Sequence, residues 1–273
     1  MKKSILLLTL SFSFVFTNCS KDETDPDERP DVPKQYELVK AVKWDVGVVH
    51  QLEFFYNQDS SINYYLSGSS NLPSKYKTIF AYSQDKLEST RDEGARNAAY
   101  SYDNHNRVIQ LSQISNGVET SKNAYTYNAE GKIVHVKCWV LINGTLKVSW
   151  QSDLTYDASQ NIAKTVTEHF DESGNIAETR VRVIEGQSDS VYINPYALLH
   201  PLYQHQAHEI FDPVVLATLN RLPKKIKETG RSTGPIEYEY FFSILDGRLD
   251  KLKCKTTIDN NPGYFTSEAV FQY

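Results

Sequence analysis

Cysteine, methionine and proline are scarce in this 273-residue chain, which holds three cysteines, one methionine and ten prolines. Beyond the amino-terminal region only Cys138 and Cys254 remain, and no CxxC pair exists. A zinc site built on cysteine pairs is therefore not expected. In an exported chain the two cysteines form a disulfide if their strands are neighbours; otherwise each is a small buried apolar residue.

The signature motifs of common enzymes are also missing. No GxGxxG sequence, phosphate-binding loop, nucleophile elbow or HExxH sequence occurs. A carboxylate pair such as Glu237 and Glu239 carries little information in a chain with 34 acidic residues. The sequence leaves enzymatic activity undecided and favours a non-catalytic protein, and it predicts no cofactor.

A long hydrophobic run is absent as well. The apolar run at residues 5–16 has about 12 residues, too few to cross a bilayer about 30 Å thick as a helix. Two lysines precede the run and Cys19 follows it, an order typical of export signals. We therefore predict that residues 1–18 are a cleaved signal peptide.

Basic residues are not in excess either. Residues 1–18 contain two lysines and no acid, so the chain from Cys19 onwards has 27 basic and 34 acidic side chains, a net charge of −7. The overall field of such a chain does not attract nucleic acid. We expect no nucleic-acid partner.

The residues around Cys19 carry a resemblance. A cysteine at the end of such an apolar run resembles a bacterial lipobox, in which the cysteine is acylated and anchors the mature chain in the lipid bilayer. Residues 19–33 are acidic and contain proline, which predicts a disordered tether. The start of the tether resembles the signal that exports lipoproteins of Bacteroidota-type bacteria to the outer face of the outer membrane, and it consists of Ser20, Lys21, Asp22 and Glu23. The resemblance implies a lipid-anchored protein of the outer membrane, exposed on the cell surface.

Turn signals recur every 10 to 15 residues between Asp92 and Asp189, and none of the ten prolines lies there. Asn-Gly pairs and clusters running from Asp or Asn to Gly supply the positive backbone angles that hairpins need. The signals lie at residues 92–94, 103–106, 116–117, 128–131, 143–144, 157–161, 171–174 and 185–189. The segments between them alternate and are rich in aromatic residues, which predicts strands of about 8 to 10 residues.

Similar segments flank this region. They lie at residues 36–45, 48–57, 76–83, 224–229, 236–242, 248–258 and 264–273. A flat twisted sheet rarely carries so many strands without curling or closing. We predict one all-β domain over residues 34–273, a long antiparallel meander of about 14 to 16 strands that is curled or closed into a barrel.

Alternation within the strands predicts which face is wet. Lysines alternate with apolar residues at 251–258, and glutamates alternate with aromatic residues at 236–240. By the same rule, Arg180 and Arg182 are expected on the wet face, opposite Val181 and Val183. A membrane-spanning barrel needs an apolar outer band, and each Lys or Arg at its midplane costs about 2 to 4 kcal/mol. We therefore predict a soluble barrel.

Residues 194–222 interrupt the strand pattern. They contain two helix starts, Asn194-Pro195 and Asp212-Pro213, with proline at the first helical position. The segment is too apolar for a solvated loop. We predict a small helical insert that packs on the aromatic face of the sheet or closes one barrel mouth.

Two repeats carry further resemblances. Tyr-x-Tyr followed by a polar turn, at residues 100–103, 125–128 and 238–240, resembles degenerate tyrosine-aspartate repeats of Rhs and teneurin shells. Leu-Pro-x-Lys strand starts occur at residues 72–75 and 222–225. With the lipobox, the acidic tether and the insert, these features resemble a family of Bacteroidota lipoproteins of unknown function. That resemblance implies a porin-like β-barrel and brings no catalytic residues.

Two groups of residues are candidate binding sites. His205 and His208 are three residues apart, so a helix would place them on one face, beside Glu209 or Asp212, as weak zinc ligands. Histidines as polar edge residues of the insert are the more expected interpretation. Trp44, Trp139 and Trp150 are candidates for stacking on sugar rings, but aromatic residues also serve simply as good strand formers.

The sequence favours an envelope-tethered lipoprotein that acts as a non-catalytic binding or cell-surface interaction module, with a glycan, a nutrient or an envelope protein as partner. Two alternatives stay open. A glycan-processing hydrolase would show an aromatic-lined cavity with two carboxyl groups about 5 to 10 Å apart. A passive shell or scaffold would show a filled interior and no concave pocket.

Overall fold

A computed structural model describes residues 38–45, 48–71, 74–93, 96–190, 195–198, 210–219, 221–232, 234–258 and 266–273. Sixteen antiparallel strands form a closed barrel in which each strand pairs with its neighbours in sequence, and β1 pairs with β16. The strands are β1 (Ala41–Asp45), β2 (Val49–Tyr56), β3 (Ile62–Ser69), β4 (Tyr76–Ser83), β5 (Lys86–Asp92), β6 (Arg96–Tyr102), β7 (Val108–Ser115), β8 (Val118–Tyr127), β9 (Ile133–Ile142), β10 (Thr145–Tyr156), β11 (Ile162–Phe170), β12 (Ile176–Gln187), β13 (Pro223–Thr229), β14 (Ile236–Leu245), β15 (Arg248–Ile258) and β16 (Thr266–Gln272). The predicted all-β closed meander is confirmed.

Because the chain runs up and down, its connections alternate between two rims of the barrel. Rim A carries the β11–β12 turn at residues 171–175 and the β13–β14 connection at residues 230–235. Rim B carries the β10–β11 turn at residues 157–161 and the long connection at residues 188–222. The predicted signal peptide, tether and lipidation site lie outside the described residues.

One four-residue turn recurs five times. In each copy, the backbone N–H of the first residue donates to the carbonyl four residues later, and its own carbonyl accepts from the N–H three residues later. The first residue is Asn57, Asp103, Asn128, Asp157 or Asp171. A residue with positive φ ends each turn, for example Asn106 with φ 63° and Gly131 with φ 77°. Asp and Asn favour this turn because their side chains accept from backbone N–H groups two and four residues later, as Asp157 does.

An aromatic residue precedes every copy of this turn, and the strand pairing is irregular next to it. In the four copies at rim B that residue is tyrosine, and its hydroxyl donates to a backbone carbonyl within two residues of the start of the preceding strand. The pairs are Tyr56 to Val39, Tyr102 to Leu87, Tyr127 to Val108 and Tyr156 to Ile133, at 2.7 to 2.8 Å. Tyr273 donates to Leu249 in the same way, and Gln187 donates to Ile162. Five of the eighteen tyrosines thus tie neighbouring strands together at rim B.

The insert packs inside the barrel. Val214 and Val215 contact one core cluster, formed mainly by β7 to β11, while Phe211 and Leu216 contact a second cluster on β1 to β4 and β13 to β16. These two sets of strands face each other across a sixteen-strand ring. The described residues of the insert therefore pack inside the barrel, in agreement with the prediction that the insert packs on the aromatic face.

Both predicted helix starts in the insert are followed by helical residues. Residues 195–198 are helical, and a helical turn spans Pro213–Leu216 with Asp212 as its N-cap. The Asp212 carboxylate accepts from the N–H groups of Val214 and Val215 and also from Tyr125 and Asn123 on β8. Asp212 thus caps the turn and attaches it to the barrel wall.

The facing of the strands is partly as predicted. Tyr238 and Tyr240 are buried, and Glu237 and Glu239 lie on the outer face. The prediction for β12 was wrong, because Arg182 is 1% exposed whereas Val183 is 43% exposed. Alternation shows which residues of a strand share a face, but it does not show which of the two faces is buried. In β12 the arginines face inward and form ion pairs there, so the assignment based on charge alone was reversed.

Cys138 and Cys254 are buried and form no disulfide with each other. Cys138 lies on β9 and Cys254 on β15, with five strands between them in the sheet. Burial raises the pKa of each thiol to about 12. Both cysteines therefore behave as small apolar core residues. Among the described residues, no helix has the length and apolar content needed to cross a bilayer.

Candidate functional site

A groove of about 520 Å³ lies at rim A, at the border of β10 and β11. It is lined by Lys137, Lys147, Val148, Gln151, Phe170, Glu172, Ser173 and Gly174. We call it the shoulder groove. It combines two apolar side chains with lysines, an amide, a carboxylate and a hydroxyl, so it offers donors and acceptors beside apolar surface.

Unequal strand lengths create the groove. The β9–β10 hairpin extends past the end of β11, because pairing between β10 and β11 begins only at Trp150 and His169. Residues 145–148 of β10 pair with β9 alone. The β11–β12 turn lies beside this extension, and Lys147 Nζ donates to the Glu172 carbonyl at 2.7 Å. That contact joins the turn to the hairpin across the groove.

The turn in the groove is the fifth copy of the recurring turn, and it departs from the rim B copies in one way. Phe170 stands where the rim B copies have tyrosine. A phenylalanine has no hydroxyl to donate to a backbone carbonyl, so its ring is left to line the groove. The departure marks this copy as different from the four that tie hairpins together.

Trp139 lies next to the groove on the outer face. It pairs across the sheet with Lys122 and Val148, and Val148 lines the groove. The Nζ atoms of Lys122 and Lys137 lie 5.1 and 5.4 Å from the ring centroid. An exposed cation–π contact contributes about 0.5 to 1 kcal/mol, so a ligand can displace flexible lysines from the ring at low cost.

The structure does not bring the three predicted stacking residues together. Trp44 is 6% exposed and stacks on His50 inside the barrel, and Trp150 packs against the core cluster of β7 to β11. Trp139 alone of the three lies on the outer face beside the groove. His205 and His208, the weak metal candidates, lie outside the described residues. Asp212, named beside them, is bound to Tyr125 and Asn123 instead.

The outward carboxylate pair is part of a charge ladder. Lys225 Nζ lies 2.6 Å from Glu237 and 3.6 Å from Glu239, and Lys255 lies 3.6 Å from Glu239. Lysines therefore neutralise both carboxylates. Within the described part of the chain, no group of three His, Cys, Asp or Glu side chains could hold a metal ion.

A second polar region lies inside the barrel towards rim A, and the sequence pattern did not indicate it. It consists of His169 on β11, Glu178, Arg180 and Arg182 on β12, Glu228 on β13, and Arg231 just after β13. We call it the arginine cluster. Burial, with added repulsion from Arg180, lowers the pKa of His169 to about 4. His169 is therefore uncharged at neutral pH.

No protein-family model and no curated protein matches the sequence of this chain. Similar solved structures exist. A porin-like protein from Bacteroides uniformis shares 11% identity, covering 86% of this chain and 96% of that one, with a TM-score of 0.58. A porin-like protein from Bacteroides vulgatus shares 12% identity, covering 86% and 98%, with a TM-score of 0.51. The chain thus has the fold of these porin-like proteins.

Proposed function

We propose that this chain is a lipid-anchored surface protein whose barrel is a non-catalytic module that binds glycans at the shoulder groove and Trp139. The observation that carries the proposal is a half-buried tryptophan on the outer face, beside a groove lined by lysine, glutamine and carboxylate side chains. Sugars are recognised by ring stacking together with hydrogen bonds from such groups.

The packing of insert residues inside the barrel supports a role at the surface rather than a conducting role. A sixteen-strand porin leaves an aqueous channel, whereas residues of the insert join both core clusters of this barrel. The outer face also carries ion pairs such as Lys253 with Glu268 and Lys227 with Glu185. Placing these charges in hydrocarbon would be costly, so we propose that the outer face lies in water.

A glycan array probed with the purified chain tests the binding function. We expect wild type to bind at least one class of glycan. Trp139→Ala should weaken that binding by about tenfold or more, because a tenfold loss of affinity needs a loss of only about 1.4 kcal/mol of binding free energy. Phe241→Ala is the control, because Phe241 is an exposed aromatic residue on β14, away from the groove. Absence of binding to every glycan, or equal binding by both variants, would contradict the proposal.

The anchor is tested separately. Labelling of producing bacteria with a fatty-acid analogue should modify wild type, whereas Cys19→Ala should carry no label. Replacing the predicted export signal at Ser20, Lys21, Asp22 and Glu23 with neutral residues should leave the label and reduce access of an external protease. An unlabelled wild type would contradict lipidation without bearing on the groove.

The scaffold alternative has an observation in its favour, namely the packing of insert residues against both core clusters inside the barrel. It predicts that the shoulder groove is incidental and that Trp139→Ala has no consequence beyond the fold. The glycan array decides between the two candidates.

A further inference from the structure

Three lysines surround Trp139 and the shoulder groove. Lys122 and Lys137 hold their Nζ atoms 5.1 and 5.4 Å from the Trp139 ring centroid. Lys137 and Lys147 line the groove. Lys137 therefore belongs to both parts of the site. A ligand that stacks on the ring and extends into the groove would pass its ammonium group. We call these three residues the groove lysines.

The groove lysines are not neutralised by carboxylates. Within the described part of the chain, none of the three forms a salt bridge. Lys147 donates instead to a backbone carbonyl, that of Glu172. The lysines of the charge ladder on β13 and β15 differ, since Lys225 and Lys255 each pair with a glutamate. The groove lysines are thus available to an anionic ligand.

Most acidic side chains near the groove lysines are engaged elsewhere. Glu168 accepts from the Gln151 amide at 2.8 Å, and Asp153 lies 2.7 Å from a histidine. Asp171 accepts from backbone N–H groups of its own turn. Glu172 lines the groove, and its carboxylate has no hydrogen bond or salt bridge to any described residue. Three ammonium groups therefore stand against one unengaged carboxylate at the site.

Ammonium groups favour an anionic partner over a sugar hydroxyl. A lysine ammonium only donates hydrogen bonds, and its bonds to a carboxylate or sulfate are about twice as strong as those between neutral groups. A cation–π contact at the surface is weak. An anionic substituent can therefore draw Lys122 and Lys137 off the ring face of Trp139 and leave that face to a sugar ring.

The charge of the whole chain makes this selection local. From Cys19 onwards the chain has a net charge of −7, so its overall field repels acidic glycans. Binding of such a glycan would have to come from the groove lysines rather than from general attraction.

We infer that the shoulder groove and Trp139 select acidic glycans over neutral ones. A sugar ring stacks on Trp139, and its carboxylate or sulfate group binds Lys137 and Lys122. The inference rests on the proposed glycan-binding function and adds the class of ligand. Lysine acts as a point charge and does not demand the planar geometry of a carboxylate, so both oxyanions fit. The groove of about 520 Å³ lies within the range of about 300 to 1,000 Å³ for ligand pockets, and it offers Lys147 to a second sugar residue.

Calorimetric titration of the purified chain with matched pairs of glycans tests the selection. The first pair is trigalacturonic acid and its methyl ester, and the second is a sulfated galactan oligosaccharide and its desulfated form. We expect wild type to bind the acidic member of at least one pair about tenfold more tightly than the neutral member, since two ion pairs contribute. Added sodium chloride should reduce that preference. Preference within the first pair alone would identify a uronic acid as the ligand, and preference within the second pair alone would identify a sulfated sugar.

Lys137→Gln should weaken binding of the acidic glycan by about fivefold, the upper end for one exposed ion pair, and leave binding of the neutral glycan unchanged. Lys122→Gln removes the other lysine at the ring and keeps the test informative if Lys137→Gln does not fold. Lys164→Gln is the matched control, because Lys164 is an exposed lysine of β11 that does not line the groove. It should bind as wild type does.

Equal binding of the acidic and neutral members of both pairs would overturn the inference while leaving glycan binding at the groove intact. Equal binding of the acidic glycan by wild type, Lys137→Gln and Lys122→Gln would also overturn it, because the anion would then bind elsewhere. Absence of binding to every glycan, acidic or neutral, would contradict the proposed function and the inference with it.

Discussion

Each tyrosine of the rim B turns joins two neighbouring strands through a single hydroxyl group. The backbone carbonyls that accept these bonds lie at or near strand starts. A buried carbonyl without a donor is costly, so the hydroxyl contributes even though the ring alone would pack. The aromatic repeats therefore have a structural explanation that needs no ligand.

Tyr127→Phe tests this role. The ring contacts are kept, including the Arg107 guanidinium 4.5 Å from the ring centroid, and only the bond to Val108 is lost. We expect the free energy of unfolding to fall by about 1 kcal/mol. Tyr64→Phe is the control, because Tyr64 stacks on Phe55 at 4.3 Å and phenylalanine preserves that contact. Urea denaturation of both variants measures the difference, and equal losses would contradict the explanation.

His169 should link stability to pH. Its pKa is lowered to about 4 in the fold, from an ordinary value near 6.5. Between these values the unfolded chain binds a proton that the folded chain does not, so stability should fall as the pH is lowered from about 6.5 to 4. Above that window His169 is neutral in both states and contributes no slope.

An NMR titration of the His169 ring, assigned by comparison with His169→Gln, should give a midpoint near 4. The same substitution should flatten the dependence of the unfolding free energy on pH in the window. A midpoint near 6.5 would show that the ring is not buried among arginines.

At the scale of elements, the attachment of the insert depends on Asp212. Asp212→Ala removes the N-cap and leaves the Tyr125 hydroxyl and the Asn123 amide without their acceptor. We expect the free energy of unfolding to fall by about 2 to 4 kcal/mol. The lost cap contributes about 0.5 to 2 kcal/mol of this, and the buried donors left without an acceptor contribute about 1 to 3 kcal/mol. Asp212→Asn keeps a capping oxygen that can accept from Tyr125, so its loss should be less than half as large.

Burial raises the pKa of the Asp212 carboxyl, which shows that desolvation outweighs its four donors. The asparagine variant removes that desolvation cost along with the charge. Guanidinium denaturation of the two variants measures the difference. Equal destabilisation by alanine and asparagine would show that packing of the aspartate, rather than its hydrogen bonds, holds the insert.

The turns and the insert were predictable because their signals are local. Asn116-Gly117 and Asn143-Gly144 adopt positive φ angles at both residues, as a two-residue hairpin demands. Strands β3 and β5 were not singled out in the sequence. The β4–β5 turn at Gln84-Asp85 also has positive φ at both residues but contains no glycine, so it carries no strong signal.

The candidate sites were less predictable, because they depend on how distant strands meet. Of the three tryptophans predicted to stack on sugars, only Trp139 lies beside the shoulder groove, and the groove itself results from the unequal lengths of β10 and β11. Arg180 and Arg182 were assigned to the wet face because a lone arginine is expensive to bury. Glu228, more than 40 residues later in the chain, lies beside Arg182 and offsets that cost.

At the scale of the whole molecule, the barrel closes because β1 pairs with both β2 and β16. Closure removes the two edge strands that an open sixteen-strand sheet would expose to aggregation. Closure also makes the first and last strands neighbours, which ties the part of the chain next to the predicted tether to the end of the fold.

A disulfide across this seam tests closure. Lys43 on β1 lies directly opposite Val270 on β16. Opposed residues in antiparallel strands have Cα atoms about 4.5 to 5.5 Å apart, within the range of about 4.4 to 6.8 Å that a disulfide spans. The double variant Lys43→Cys with Val270→Cys should oxidise readily and gain up to about 5 kcal/mol from the long loop that it closes.

Lys43→Cys with Lys225→Cys is the control, since β13 lies four strand spacings from β1, about 19 Å at about 4.8 Å each. That pair should stay reduced. The native Cys138 and Cys254 interfere little, because burial keeps both thiols protonated, and thiolate is the reactive form. Mass spectrometry of peptides under oxidising conditions gives the readout. If the seam pair stayed reduced while the native cysteines remained buried, the barrel would be open between β1 and β16, and rim A would not enclose the arginine cluster.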